Sequence, residues 1–531
     1  MKVRDNVETP DTQAQLEAKV AQRFQREMGH ISRQSSVFFA GTIFTAAAGY
    51  LFKVYLARVL GAEELGIFAL GMTIVGLVGI FAAAGLPQAA VRFVATYVAS
   101  GKMDALRGFL GRSTVALLGA NLLFGLVVLL VGPWIAVRFY HTPALIPYLG
   151  LFVLMMVLGS FNSFLGQILA GFKDVARRTL ITNFVGSPLM MVFTLAMVGL
   201  GFGLWGYIFA QVAAAVVVLA LLLVVCWKLT PSQARSFSTG IPGVEKEVLW
   251  FSAATFGMTF LEYLLGQTDK ILIGFYLNAR EVGIYSVAAA LVIFVPIILQ
   301  SVNQIFSPTI AALHSRGERE LLGRMFQTLT KWILGFTVPL AAVMAIFSRP
   351  LMSIFGGDFE VGWAILMIGA LGQLVNCGTG SVGFLLLMSG YQRRLIQIQV
   401  VMAAVMVAMN VALIPLWGIT GAAVAAAATN VLSNAWYLWA VRDSMGLSPY
   451  NRSYLRLVFP VASTLAALFF LRFESSHIHH NWLLVAIALV AGYLVFTGVA
   501  LIAGLDADDR IIADAVWYKV RSLFPSAEGN A

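Results

Sequence analysis

The sequence predicts an all-α polytopic membrane protein of fourteen transmembrane helices, arranged as two pseudo-symmetric six-helix bundles followed by two further helices. Three observations carry this reading. Hydrophobic residues make up 60% of the 531 residues and charged residues only 11%, a balance that no soluble chain of this size tolerates on its surface. Apolar runs of about 20 residues, enough to cross roughly 30 Å of hydrocarbon, follow one another with short breaks. The third observation is that the chain repeats itself.

The runs lie near 36–57, 64–86, 111–136, 146–170, 179–201, 203–227, 250–275, 282–306, 329–350, 360–388, 395–416, 418–442, 454–472 and 482–504. Their number is tested by the bias of Lys and Arg toward the inner face, because a wrong count scrambles the alternation. With the N terminus inside, seven of the 35 basic residues fall on outer ends and loops: Lys53, Arg58, Arg138, Lys270, Arg280, Arg349 and Arg472. The other 28 lie inside, which places both termini in the cytoplasm. The net charge of +10 is dispersed between apolar spans, so it suits an anionic inner membrane surface and not nucleic acid.

Residues 1–35 are polar, and the first apolar run is too long for a cleavable signal, so that run serves as the targeting signal. Within the polar segment Leu16, Val20, Phe24 and Met28 recur at four-residue spacing, with Lys19, Arg23 and Arg26 on the other side. Either a helix lying on the inner leaflet or a solvated tail fits that pattern. The two cysteines, Cys226 and Cys377, both sit inside spans, which gives no disulfide framework and no metal-binding spacing.

The repeat is read by shifting the chain 217 residues. Lys53 then pairs with Lys270, Leu60 with Leu277, Ala62 with Ala279, Glu64 with Glu281, Gly66 with Gly283 and Ile67 with Ile284. Long basic inner connections follow at matched places, through Gly85-Leu86-Pro87 to Arg92 in one half and through Ser307-Pro308-Thr309 to Arg324 in the other. The fourth and tenth runs end alike, in Gly171-Phe172 and Gly390-Tyr391, and the next runs meet in Gly203-Leu204-Trp205-Gly206 and Gly418-Ile419-Thr420-Gly421. A repeat of six spans keeps its orientation, so the halves are related by an axis along the membrane normal. The expected organisation is a cytoplasmic segment 1–35, a first lobe 36–227, a cytoplasmic linker 228–249, a second lobe 250–442, two added helices within 443–504 and a cytoplasmic tail 505–531.

The Ala57-Arg58-Val59-Leu60-Gly61 and Glu64-Leu65-Gly66-Ile67-Phe68 pattern, with Thr268-Asp269-Lys270 and Glu281-Val282-Gly283-Ile284-Tyr285, resembles the Wzx-type oligosaccharide flippases. These form the polysaccharide-transporter branch of the MOP exporter superfamily, which also holds the MATE drug exporters and the lipid II flippase. The resemblance covers residues 36–504. It implies a V-shaped pair of bundles around a cavity lined by helices one and seven, with alternating access. It further implies an undecaprenyl-diphosphate-linked glycan as substrate, moved from the cytoplasmic to the periplasmic leaflet of a bacterial inner membrane for surface polysaccharide. Partners implied in the same way are the bilayer, a polysaccharide polymerase and glycosyltransferases. No cofactor is expected, and coupling to H+ or Na+ stays open.

Charge within the spans marks the candidate site. A charge at mid-bilayer costs about 2.5–3.5 kcal/mol on insertion scales, so it faces a partner, water or a substrate. Lys53 and Lys270 stand at matched depth on helices one and seven, where together they would neutralise a diphosphate; each alone also fits a lysine snorkelling to the outer headgroups. Asp269 is a charge partner for Lys270 or a proton-sensing group. Glu262 lies seven residues before it, about 10.5 Å away on nearly the same helix face, and is a candidate coupling carboxyl or a plain helix contact. Arg58 belongs to the outer interface, and Arg92 either catches a diphosphate at the inner mouth or merely follows the positive-inside bias. His477, His479 and His480 form a cluster near Glu474 that reads as a solvated loop and not as a metal site.

Catalysis is not expected, since the outer loops are short and lack paired carboxylates. A cation-coupled drug exporter fits less well, because residues 36–57 hold Lys53 and no acid. A lipid II flippase is the nearer alternative, because its substrate shares the diphosphate carrier.

Overall fold

The computed structural model describes residues 49–234, 246–474, 481–504, 506 and 508–510. The amphipathic stretch within 1–35, the first turns of the first expected span, and His477, His479 and His480 lie outside the described residues. All regular structure among the described residues is helical. In chain order it comprises α1 (49–83), α2 (Leu86–Ala99), α3 (Met103–Trp134), α4 (Leu149–Gly171), α5 (Val175–Gly199), α6 (Gly203–Leu229), α7 (Lys246–Tyr276) and α8 (Ala279–Val292). Then follow α9 (Ile297–Ser315), α10 (Arg319–Ile346), α11 (Trp363–Thr379), α12 (Val382–Met388), α13 (Gln392–Met445), α14 (Val458–Glu474) and α15 (Asn481–Ala503). In a bilayer only closed hydrogen-bonded backbones survive, and helices close theirs internally.

Eleven helices among the described residues are long and apolar enough to span, or twelve if the bent pair α8 and α9 counts as one. That pair turns by 53° just before Pro296, which has no N–H to offer the preceding turn. The difference from the fourteen expected spans arises where helices run on. α13 has 54 residues, about 80 Å of rise against roughly 30 Å of hydrocarbon. It breaks at Gly418, whose φ of 58° and ψ of −140° lie outside the reach of ordinary side chains. Gly61, with φ 76°, interrupts α1 in the same manner.

The described chain divides into two compact units. The first takes in Phe52–Val287 and Met406–Ala422. Its core clusters around Phe93, Val94, Leu106, Phe109, Phe164, Leu169 and Leu222, from α2, α3, α4 and α6. Small residues let these helices approach: a β-carbon on Gly171 would press on Val94 and on the Ala90 carbonyl. The outer face of α3 carries Leu122, Leu123, Leu126 and Leu130, all more than half exposed, a surface suited to lipid and not to water. Asn162 donates its amide N–H to the Ala215 carbonyl at 3.1 Å, bridging α4 and α6.

Within this unit the duplicated motif packs against itself. A β-carbon on Gly66 would overlap the Ala279 carbonyl, and one on Gly283 would overlap the Ala62 carbonyl. The two Ala-x-x-x-Gly segments, Ala62 to Gly66 and Ala279 to Gly283, therefore cross backbone to backbone. This is the close approach that small residues four apart permit between membrane helices.

The second unit takes in Ala288–Val405 and Ala423 onward, with the stretch before Phe52. α10 is its centre, with 67% of its most apolar stretch buried against 39% or less for the other candidate spans. Its Phe326 packs in one cluster with Phe306, Ile310, Val382, Leu385, Leu386 and Ile398. Buried polar side chains pair off: Ser381 Oγ donates to Asn303 Oδ1 at 2.5 Å and Thr379 Oγ1 to Asn434 Oδ1 at 3.2 Å.

Where the chain leaves α15 it is tied back to α10 by charge. Lys331 Nζ contacts Asp509 Oδ2 at 2.6 Å and Asp506 Oδ2 at 3.2 Å, while Trp332 Nε1 donates to Asp509 Oδ1 at 2.9 Å. Arg324 forks onto Asp508 at 2.5 and 2.9 Å, and Arg456, in the short helix Arg452–Leu457, pairs with Asp506. The Lys331 and Asp509 side chains are only 8% and 5% exposed, so removing one strands the other.

Two substitutions test this packing. Gly66→Val should cost roughly 3 kcal/mol by forcing the crossing apart, read as a lowered unfolding midpoint of the purified protein. Lys331→Met should cost about 3–5 kcal/mol by leaving Asp509 buried without its cation; a Lys331→Met/Asp509→Leu pair should recover most of that loss.

Candidate functional site

The first unit assembles the charged residues singled out from the repeat. α7 runs 31 residues, about 46 Å, and carries Glu262 near its middle and Asp269 and Lys270 toward its end. Asp269 is 8% exposed. Its Oδ2 accepts from the Tyr285 hydroxyl at 2.5 Å and its Oδ1 from the Lys270 backbone N–H at 2.8 Å. The Lys270 ammonium does not close on its neighbour's carboxylate; it donates to Gln267 Oε1 at 2.9 Å. Lys270 is half-buried and Lys53, on α1, is exposed. The two ammonium groups lie near enough to act on one another's charge.

The structure thus brings Lys53 and Lys270 into one region and sets Asp269 beside them, bonded to Tyr285. Each ammonium lies within electrostatic reach of the other, and the Asp269 carboxylate lies within reach of Lys270. Glu262 shares the helix face of Asp269, yet it is exposed and not buried. Arg58, also exposed, follows Lys53 by five residues and so points about 140° away around the helix. Arg92 belongs to a different place. It sits on α2, where Nη2 contacts Glu247 Oε1 at 2.5 Å and the guanidinium lies 4.7 Å from the centre of the Phe251 ring.

A cavity of about 450 Å³ lies between α1, α2, α4, α6 and α7, lined among others by Gly76, Gly79, Gln88, Ser160, Ser163 and Gln211. Lys53 and Lys270 are not among its lining residues. The wall is mainly apolar, with Met72, Val75, Met155, Met156 and Phe256, and a few polar side chains are set into it. Tyr263, on α7, donates its hydroxyl to the Thr73 carbonyl at 2.5 Å and sets its ring against Gly76, one of the lining residues.

Sequence reasoning missed Tyr285, Gln267 and Glu247. For Tyr285 a signal was present in the repeat. The shift that places Asp269 on Phe52 places Tyr285 on Phe68, so one half carries two phenylalanines where the other carries an acid and its hydrogen-bond donor. Gln267 is a neutral residue next to a more conspicuous pair. Glu247 lies 155 residues from Arg92, and no local pattern links them.

Set against known proteins, residues 55–360 match the family described as polysaccharide biosynthesis protein. The chain belongs to that family, and the resemblance to polysaccharide flippases read from its motifs holds. It is 24% identical over 420 residues to the probable flippase AglR of Haloferax volcanii, covering 75% of this chain and 80% of that protein. Among solved structures it is similar to the lipid II flippase MurJ in an inward closed conformation, with TM-score 0.70, 13% identity and coverage of 88% and 98%. It also resembles an inward-facing multidrug resistance MATE transporter of the MOP superfamily, with TM-score 0.65, 15% identity and coverage of 75% and 94%. These likenesses show that the chain shares the fold of those transporters.

The Asp269–Tyr285 bond is testable apart from transport. Tyr285→Phe and Asp269→Asn should each destabilise the folded chain by about 1–3 kcal/mol. In a double-mutant cycle on thermal unfolding they should couple by roughly 1 kcal/mol, whereas strict additivity would show that the contact is not energetically real.

Proposed function

We propose that this protein is a flippase that carries undecaprenyl-diphosphate-linked oligosaccharide units from the cytoplasmic to the periplasmic leaflet by alternating access, supplying surface polysaccharide synthesis. The observation that supports the reading is that Lys53 and Lys270 occupy equivalent positions of the two repeats within reach of one another's charge. A diphosphate leaving water needs cations, and lysines serve as point charges for phosphate. Membership of a polysaccharide biosynthesis family supports a glycan over lipid II as the cargo. Nothing in the site calls for bond-breaking chemistry, and the chain acts as a transporter in this reading.

The same proposal includes fourteen spans. The eleven long helices become twelve with the bent pair, and the breaks at Gly61 and Gly418 divide two more. Both termini are then cytoplasmic, and the six-span lobes 36–227 and 250–442 are the moving parts of a bacterial inner-membrane protein. Asp269 and Glu262 are the candidate groups for coupling to H+ or Na+. Arg58 and Arg92 flank the path at its outer and inner ends, and a polymerase and glycosyltransferases are the expected partners.

In proteoliposomes, flipping of a fluorescent polyprenyl-diphosphate glycan should fall on the order of tenfold, the loss of about 1.4 kcal/mol, in Lys53→Ala and in Lys270→Ala. The arginine variants should retain most activity. Full activity in both alanine variants overturns the cationic site. Glu262→Gln should abolish acceleration by a pH gradient, and a variant that keeps that acceleration removes Glu262 from coupling.

A further inference from the structure

The ion pair between Arg92 and Glu247 lies outside the Lys53 and Lys270 region and closes a particular place. Gln88, in the first turn of α2, lines the 450 Å³ cavity, and Arg92 stands one turn further on the same face. On α7 the cavity is lined by Phe256 and Thr259, and Glu247 sits in the first turn of that helix. The pair therefore fastens α2 to α7 just beyond the end of the cavity.

Its energetics are those of a clasp and not of a core contact. The side chains are 48% and 61% exposed, and ion pairs that exposed add little to stability and are readily exchanged. The recorded contact uses Nη2 and one carboxylate oxygen, so a guanidinium with five N–H groups keeps others for a second anion. The cation itself is held in position. It lies 4.7 Å from the Phe251 ring centre and 5.4 Å from that of Phe93, and those rings meet edge to face at 5.9 Å. Arginine is thus braced by aromatics while its partner acid is loose.

We infer that Glu247 is a built-in competitor for Arg92, displaced when a diphosphate reaches the mouth of the cavity, so that substrate arrival itself unfastens α7 from α2. A disubstituted diphosphate offers the guanidinium two adjacent singly charged phosphates with bidentate oxygens, which one exposed carboxylate does not match. This rests on the proposed flippase reading and adds to it a residue, Glu247, and an order of events, capture before release.

The test is equilibrium binding of farnesyl diphosphate, inorganic pyrophosphate and farnesol to the full chain in phosphatidylcholine nanodiscs, by calorimetry. Glu247→Gln should bind both diphosphates about fivefold more tightly, because the competitor is gone, and Arg92→Gln about tenfold more weakly. Farnesol should not distinguish the variants. The reversed pair Arg92→Glu/Glu247→Arg restores the clasp with its cation off the aromatic brace, and should bind as weakly as Arg92→Gln. Opposite shifts in the two single variants support exchange; shifts in the same direction, or none, overturn it, as does wild-type affinity in the reversed pair. If the wild type binds neither diphosphate, the diphosphate-carrier reading fails with it, an outcome distinct from binding that ignores Glu247.

Discussion

Gly66 and Gly283 approach so closely that neither has room for a side chain, and the first unit is organised around that contact. Because the two backbones touch, α1 and α8 cross at a fixed point, about midway along α1 and just past the end of α7. Lys53 and Lys270 are brought together by that geometry, each lying 13 residues before its own crossing glycine. The repeat thus makes a near-symmetric joint, with the two lysines at equal sequence offsets from it. A duplicated chain that buried its motifs separately would carry the same lysines with no means of pairing them.

The symmetry is broken at one place. Phe52 and Phe68 in the first half correspond to Asp269 and Tyr285 in the second, and there the acid is buried and bonded to the hydroxyl. The exchange puts a directional hydrogen bond between α7 and α8, the pair that leads into the crossing, where the first half carries two phenylalanines. A buried carboxyl among apolar helices is costly unless its oxygens are satisfied, and here a hydroxyl and a backbone N–H satisfy one oxygen each. Lys270, relieved of that duty, reaches Gln267 and keeps its charge for another partner.

Much of this was legible in the chain. The repeat placed Lys53 opposite Lys270 because helices hold a constant rise, so equal offsets mean equal depth. The class of fold was legible because lipid leaves the backbone few choices. Three features were not. The breaks at Gly61 and Gly418 are set by backbone angles, and a run of apolar residues looks the same on either side of them. Arg92 reads as one more inner positive charge until Glu247 is seen 155 residues away. Lys331 enters the inside tally as if it lay at the membrane surface, whereas it is buried on α10 and neutralised by acids at the far end of the chain. Charge counting reads an expected orientation, yet it is blind to which charges are paired.

That last pairing has a consequence for how the protein is made. Lys331 and Asp509 are separated by 178 residues, and at the usual pace of synthesis roughly ten to forty seconds pass between them. Throughout that interval α10 holds an ammonium group in a position that the finished protein buries, with its counter-ion not yet made. Only a chain translated through its last span and into the acidic segment beyond can neutralise it. A product that stops short keeps an unmatched charge at the centre of its second unit. The acidic segment beyond α15 is therefore a late-arriving counter-ion, met by a lysine that is in place on α10 long before it.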